Sequence, residues 1–307
     1  MRAAVVRSFA HSPRYEELAD PVAVDGEVVL KVVAAGLHPS VRARGSLSPP
    51  FIPGFDGVGR LPCGSRVFFA GLQAPYGSMA ERAVVREQDC VPIPDDVDDV
   101  TVAATVAPAM SAWLALRSAF EPGETVLVLG ATGNAGRMAV QIARMLGAGR
   151  VVAAGRNKDM LDRLLELGVD ATVSLEGSDE VVGHALADAA ADVDVVLDYL
   201  WGRPTEVALD ALAGGRRLRW VHAGSAAGTR IGRSAEVLRD SGVELSVADP
   251  GSLSSPERLA EQSSLINQLP AADLAVHAVS LPLHAVQSAW QADSTTGVRI
   301  VLVPSES

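Results

Sequence analysis

The chain has 307 residues, 48% of them hydrophobic, enough at roughly 150 residues per domain for two domains with sizeable cores. Lys plus Arg number 26 against 37 Asp plus Glu, a formal net charge of −11. That balance disfavours nucleic acid or an anionic membrane as the main partner, while a small anion in a local pocket stays possible. Two cysteines, Cys63 and Cys90, sit outside any CxxC or Cys/His cluster, so neither a disulfide framework nor a structural zinc knot is indicated, and free thiols fit a reducing compartment.

The N-terminus, MRAAVVRSFAHSPRYEE, lacks the apolar run of about 7–15 residues that a secretory signal needs. No uncharged apolar run approaches the ~20 residues of a membrane span. A cytoplasmic protein acting on a small molecule is expected. Residues 1 to about 110 read as β-rich and turn-rich, with little helix. EVVLKVVAAG (27–36) and SRVFFAG (65–71) are strand-like, and Pro and Gly crowd 45–64.

From about residue 120 the pattern changes. ETVLVLG is a continuous apolar run, as a strand covered on both faces requires. A helix follows with Ala135, Ala139, Ile142, Ala143 and Leu146 on one stripe and Gly147 at its end. Further strands are predicted at VVAAG (151–155), ATVSL (171–175), DVVLDYL (194–200) and RRLRWVHAG (216–224), with helical patterns between most of them. Strands alternating with helices predict a parallel, doubly wound α/β sheet. PGSLSSPE (250–257) reads as a flexible loop, and the tail from about 276 returns to strand character with AVHAVSLPL and VRIVLVP.

GATGNAG lies between the first of these strands and its helix. Gly130, Gly133 and Gly136 let the backbone come close to a ligand, and the loop also holds Thr132, Asn134 and Ala135. Unpaired N–H groups and the helix dipole make that point a site for a pyrophosphate. A tight turn with no ligand would use the same residues. Where a free ribose hydroxyl is usually held by an acid at the end of the second strand, this chain has Gly155-Arg156-Asn157-Lys158. Arg156 and Lys158 would attract a 2′-phosphate, which favours NADPH over NADH; they would equally solvate a helix start.

Several segments, taken in order, resemble the medium-chain dehydrogenase/reductase superfamily, most closely its zinc-free quinone oxidoreductase branch. They are AAGLHPSVRARG (34–45), PGFDGVG (53–59), GSMAERAVV (77–85), EPGETVLVLGATGNAG, LGVDATVSL (167–175) and DVVLDYLWG (194–202). The resemblance runs nearly end to end. It implies a β-rich GroES-like substrate domain from residues 1–112 and 276–307, and a Rossmann cofactor domain over 113–275. In the zinc-dependent branch, His38 would hold the first ligand's place and Phe55 that of a ligand histidine. A lone imidazole is a poor zinc site, since zinc needs three protein ligands, so no metal is expected. The branch commonly has Asn where this chain has His38 and Asp where it has Val41, and the stretch from Gly59 to Ser65 is short.

Hydride transfer needs a nicotinamide near an electrophilic carbon and a donor for the oxygen that gains charge. His38, Ser40 and Tyr76 are the candidate catalytic donors, with Arg42 and Tyr199 behind them. His222, Ala223 and Gly224, followed by Ser225, end a strand at the carboxyl edge, where ligands bind in open α/β sheets; the resemblance brings this segment to the nicotinamide. It also makes Arg299, where the family often has Lys, and Tyr199 cofactor contacts. Trp113 and Trp201 are pocket-lining or packing residues. The reading is an NADPH-dependent, metal-independent reductase of a quinone or an α,β-unsaturated carbonyl. The alternatives are a non-catalytic NADPH-binding sensor or scaffold, and a reductase dedicated to one biosynthetic pathway. The branch is often dimeric, so a homodimer is possible.

Overall fold

A computed structural model describes residues 1–38, 48–214, 217–233, 240–272, 274, 277–292 and 298–305. The chain divides into two compact units, Met1–Ala107 with Ser254–Ser307, and Pro108–Leu253. The family resemblance implies the corresponding divisions at 112/113 and 275/276.

In the first unit β1 (Arg2–Val5) pairs antiparallel with β2 (Arg14–Glu17). The main sheet contains β3 (Glu27–Leu37), β4 (Asp56–Arg60), β5 (Arg66–Ala70), β6 (Arg82–Arg86) and β7 (Cys90–Pro92). Two strands near the chain's end, β14 (Ala278–Pro282) and β15 (Arg299–Val303), join it. The order is β14-β15-β3-β4-β5-β7, with β6 also paired to β3. β15 runs antiparallel to β3, with Val301 opposite Gly36. The strands form because inward positions such as Leu30, Val32, Phe69 and Leu302 alternate with outward ones and meet in one core with Met79 and Leu283.

Two helices are found that the sequence pattern does not mark. α1 (Asp99–Ala119) begins inside the stretch expected to carry little helix. Asp98 starts it by accepting the N–H groups of Val100 at 3.0 Å and Thr101 at 2.9 Å. By length and composition it could cross a membrane, but 61% of its apolar window is buried within the protein, as in a core helix. The supposed loop at 250–257 holds a 3₁₀ turn, Pro250–Ser252, and the start of a helix, Ser255–Ala272. The cause is a capping box: Glu257 accepts the Ser254 N–H at 2.9 Å and the Ser254 hydroxyl at 2.6 Å.

The second unit has a parallel sheet of β8 (Thr125–Leu129), β9 (Arg150–Gly155), β10 (Ala171–Ser174), β11 (Val195–Asp198), β12 (Leu218–His222) and β13 (Val243–Val247). β13, VELSV, alternates apolar and polar residues, a strand pattern that the sequence reading does not mark, and four of its five residues are exposed. The spatial order is β10-β9-β8-β11-β12-β13, which is the doubly wound order 3-2-1-4-5-6. Between the strands lie α2 (Asn134–Met145), α3 (Lys158–Glu166), α4 (Asp179–Ala189) and α5 (Arg203–Leu212). Every residue of β8 and β11 is buried. These two are neighbours whose connections run to opposite sides, so their carboxyl ends form the topological switch point.

Candidate active site

At the switch point, β8 leads into the glycine loop. Gly130 has a φ of +87°, and a Cβ there would come within 3.0 Å of Leu200. A Cβ on Gly136 would lie 2.3 Å from the Gly130 carbonyl oxygen and 2.6 Å from the Ala131 Cα, both backbone atoms. The loop therefore folds back on the first turn of α2 only with glycine at 136. Gly133 is the N-cap of α2, and no side chain caps it. The next two helices differ: Asn157 caps α3 and Ser178 caps α4. The N–H groups of Asn134, Ala135 and Gly136, which precede the first intrahelical partners, point their partial charge out of that end. The Asn134 side-chain oxygen accepts from Arg137 at 2.6 Å. Burial, and then the charge of Arg163, lowers the Arg137 pKa.

Thr132 crosses to the end of β9: a Cβ on Gly155 would be 2.5 Å from its methyl group. Arg156 and Lys158 follow, both exposed, and neither makes an ion pair among the described residues. The structure thus brings Gly130, Thr132, Gly133, Asn134, Ala135, Gly136 and Gly155 into one loop cluster, with the two cations after its outer strand.

Across the switch point, β11 ends in Asp198, which is fully buried. Its Oδ1 accepts the N–H groups of Leu200 at 2.8 Å and Trp201 at 3.0 Å. Its Oδ2 accepts the Thr205 hydroxyl at 2.6 Å and the Trp220 indole N–H at 3.1 Å. Its carbonyl takes the N–H groups of Ala223 and Gly224 at 2.8 and 3.1 Å. One residue therefore fixes the turn after β11 and the turn after β12 together. Within the first of these turns Trp201 has a φ of +55°, a costly conformation for a large side chain. Its ring meets His222 edge-on, with centroids 4.6 Å apart. His222 Nε2 lies 3.1 Å from the Ser225 hydroxyl. The Tyr199 hydroxyl lies 3.3 Å from that of Ser111, and burial pushes its pKa up to about 12, so it stays protonated. Trp113 is buried, with the Arg117 guanidinium 5.4 Å above its ring.

In the first unit His38 ends up between two charged groups. Its Nε2 is 3.0 Å from Asp56 Oδ1, and its Nδ1 contacts the Arg299 guanidinium. Phe55 stacks on the ring at 5.5 Å with an interplanar angle of 11°. All three polar residues are buried. A guanidinium has only donors. Nδ1 must therefore accept, and the ring proton sits on Nε2, facing the carboxylate. Arg299 also donates from Nε to the Ala104 carbonyl at 3.3 Å. Both histidine nitrogens are committed to protein partners, and the ring has no lone pair left for a metal. Among the described residues no group of three or more His, Cys, Asp and Glu side chains could hold one. Tyr76 lies elsewhere in this unit, 48% exposed, on a cavity of about 380 Å³ with Leu72, Arg86 and Arg258, a lining that does not include His38. Ser40 falls outside the described residues, as do Val41 and Arg42.

A family model described as zinc-binding dehydrogenase matches residues 135–232. The probable NADPH-dependent quinone reductase tdiC of Emericella nidulans is 29% identical over 99% of this chain and 100% of its own length. A stretch of a phenolphthiocerol/phthiocerol polyketide synthase from Mycobacterium tuberculosis is 32% identical over 62% of this chain, and the match spans 9% of that synthase polypeptide. The quinone oxidoreductase of Thermus thermophilus, solved alone and with NADPH, is 30% identical over 99% of this chain and 100% of that one, with a TM-score of 0.82. The chain belongs to the medium-chain dehydrogenase/reductase superfamily, in its quinone oxidoreductase-like branch.

In this medium-chain dehydrogenase/reductase chain two buried carboxylates, one in each unit, escape the sequence pattern. Asp198 has a signal, as an acid closing an otherwise apolar buried strand, VVLD, where an unpaired charge would be prohibitive. Asp56 sits inside the PGFDGVG segment, but its partner stands 18 residues away and no local signal joins them. The zinc-binding description of the matched family finds no fitting ligands among the described residues: the match lies on the second unit, and the histidine of the first unit has both nitrogens engaged.

Proposed function

We propose that this protein is an NADPH-dependent, metal-independent reductase that delivers hydride to a quinone or an α,β-unsaturated carbonyl. The observation that carries this reading is the loop from Gly130 to Gly136 at the β8/β11 switch point. A single methyl at Gly136 would strike loop backbone, and the helix end behind it has no side-chain cap. The names of the E. nidulans relative and the T. thermophilus structure support it.

Bound NADPH supplies the hydride. The backbone amides of Asn134, Ala135 and Gly136 would hold its pyrophosphate, since they combine open donors with the positive end of α2. Arg156 and Lys158 would attract the 2′-phosphate. On the other side of the switch point Asp198 fixes the Tyr199–Trp201 and Ala223–Gly224 turns, which makes a rigid wall for the nicotinamide end. Tyr199 keeps its proton and offers a neutral donor. His38, held between Asp56 and Arg299, would act by orienting charge. The absence of a three-ligand His, Cys, Asp and Glu group among the described residues supports a metal-free mechanism, in which hydrogen-bond donors and solvent would stabilise charge at the acceptor oxygen.

The test is a titration of purified protein with NADPH and NADH, followed by turnover on a panel of quinones and enones. Arg156→Glu should weaken NADPH binding by about ten- to a hundredfold, the scale of one charged hydrogen bond, and barely touch NADH. Equal losses for the two coenzymes would remove the 2′-phosphate argument, and no affinity for either would end the enzyme reading. The likeness to part of a polyketide synthase favours a second reading, a reductase dedicated to one biosynthetic intermediate. Tight NADPH binding with no turnover across the panel would point to that reading or to a sensor.

A further inference from the structure

The registers of the first unit's sheet set like charges opposite one another. Lys31 of β3 faces Arg60 of β4 on one side and Arg82 of β6 on the other. Arg60 in turn faces Arg66 of β5. Directly opposed residues share a face, with Cβ atoms about 4.5–5.5 Å apart, and like charges so placed are destabilising. Four cations thus run in one row across four strands, in a chain whose net charge is −11.

The ends of the row are neutralised locally. Arg66 donates to Asp99 at 2.9 Å. Arg82 pairs with Asp20, whose other oxygen takes the N-terminal ammonium at 2.7 Å. The middle of the row is different. Lys31 and Arg60 are exposed and form no ion pair among the described residues. Together with Arg82 they line a cavity of about 430 Å³. Its carboxylate, Glu81, already accepts the Arg2 N–H at 2.8 Å. Leu61 and Pro304 give the same cavity an apolar wall.

Among the described residues, two cations without an ion pair and a third shared with Asp20, set against one engaged carboxylate and beside an apolar wall, match a phosphate group carried on a compact organic body. Arginine meets phosphate oxygens through a planar fork and lysine as a point charge. We infer that this cleft binds a small phosphorylated molecule, at a site separate from the glycine loop, which belongs to the other unit. A bound dianion would offset the repulsion that the register imposes.

The test uses inorganic pyrophosphate as the probe, in isothermal titration of the whole protein at ionic strength held constant with sodium chloride. The wild type is compared with Lys31→Gln/Arg60→Gln. Both side chains are exposed, and their removal relieves repulsion, so the double variant should melt at or above the wild-type temperature. Pyrophosphate binding at the cleft should weaken by about tenfold or more. Arg60→Gln alone, the second variant, should weaken it by a smaller factor. Any binding at the glycine loop is common to all three proteins, so the difference between isotherms reads the cleft alone. Superimposable isotherms, or no saturable heat in the wild type, overturn the inference.

Discussion

Substituting Asp198 by asparagine tests the account of the switch point most directly. The carboxylate accepts four donors, two backbone N–H groups on Oδ1 and the Thr205 hydroxyl and Trp220 indole N–H on Oδ2. Asparagine keeps the shape but has one acceptor oxygen. With that oxygen turned to Leu200 and Trp201, the new NH₂ faces Thr205, which can rotate to accept, and Trp220, which can only donate. Turned the other way, the NH₂ meets two backbone N–H groups. The first arrangement costs less. It leaves a buried indole N–H without a partner, about 1–3 kcal/mol, and exchanges charge-assisted bonds for neutral ones at about 1 kcal/mol each. Neutralising the carboxylate returns part of that through its lower desolvation cost. The net loss should be about 2–4 kcal/mol, which for a protein of this size lowers the melting temperature by roughly 3–6 °C. Thermal unfolding of Asp198→Asn, Trp220→Phe and the double variant measures it. In the Phe background there is no indole N–H to strand, so the asparagine penalty should shrink by about 1 kcal/mol or more. A melting temperature for Asp198→Asn within about 1 °C of wild type, or the same penalty in both backgrounds, would refute the reasoning.

Two other predictions follow from single sites. Gly136→Ala sets two effects against each other: helix propensity favours alanine by about 1 kcal/mol, while its methyl would lie 2.3 Å from the Gly130 oxygen. The clash is with backbone and should win, giving a net destabilisation of about 1–3 kcal/mol together with weaker NADPH binding by fluorescence titration; a stabilised variant with unchanged binding would contradict the cradle. The two thiols should differ in reactivity. The exposed Cys63 has its pKa lowered by hydrogen bonding to Ser65, whereas burial, then the charges of Asp89 and Glu87, pushes Cys90 up to about 11. At a pH of about 8 the thiolate fraction is therefore larger at Cys63, and iodoacetamide should label one thiol rapidly. Cys63→Ser should abolish that fast phase; a fast phase that survives the substitution would reverse the assignment.

What can be read from the residues alone is whatever repeats locally. β8, β9 and β11 announce themselves as apolar runs, and the glycine spacing between β8 and α2 marks the phosphate loop. α1 does not, because burial at Val102, Ala103, Ala104, Val106, Ala109 and Met110 leaves no polar stripe to give it a period. The helix from Ser255 is hidden among Ser and Pro residues that look like loop punctuation, although Ser254 forms its cap with Glu257. At the site, His38 stands out in the sequence as an adaptable acid. Its behaviour is governed by Asp56, 18 residues away, and Arg299, 261 residues away, and only the register of β15 on β3 brings the latter within reach. Tyr76 stands out by residue type, and the backbone carries it to a different cavity.

The pairing of β15 with β3 has a consequence for how the chain matures. The first unit is assembled from two distant stretches, so the N-terminal strands leave the ribosome long before the strand that completes them. Throughout that interval the backbone groups of Ala35, Gly36 and Leu37 lack the hydrogen bonds β15 will supply, and His38 lacks its arginine. The intervening α/β unit, contiguous in the chain, can close first. A truncation that removes the last strand should therefore yield an intact middle and a first unit with an open, adhesive edge.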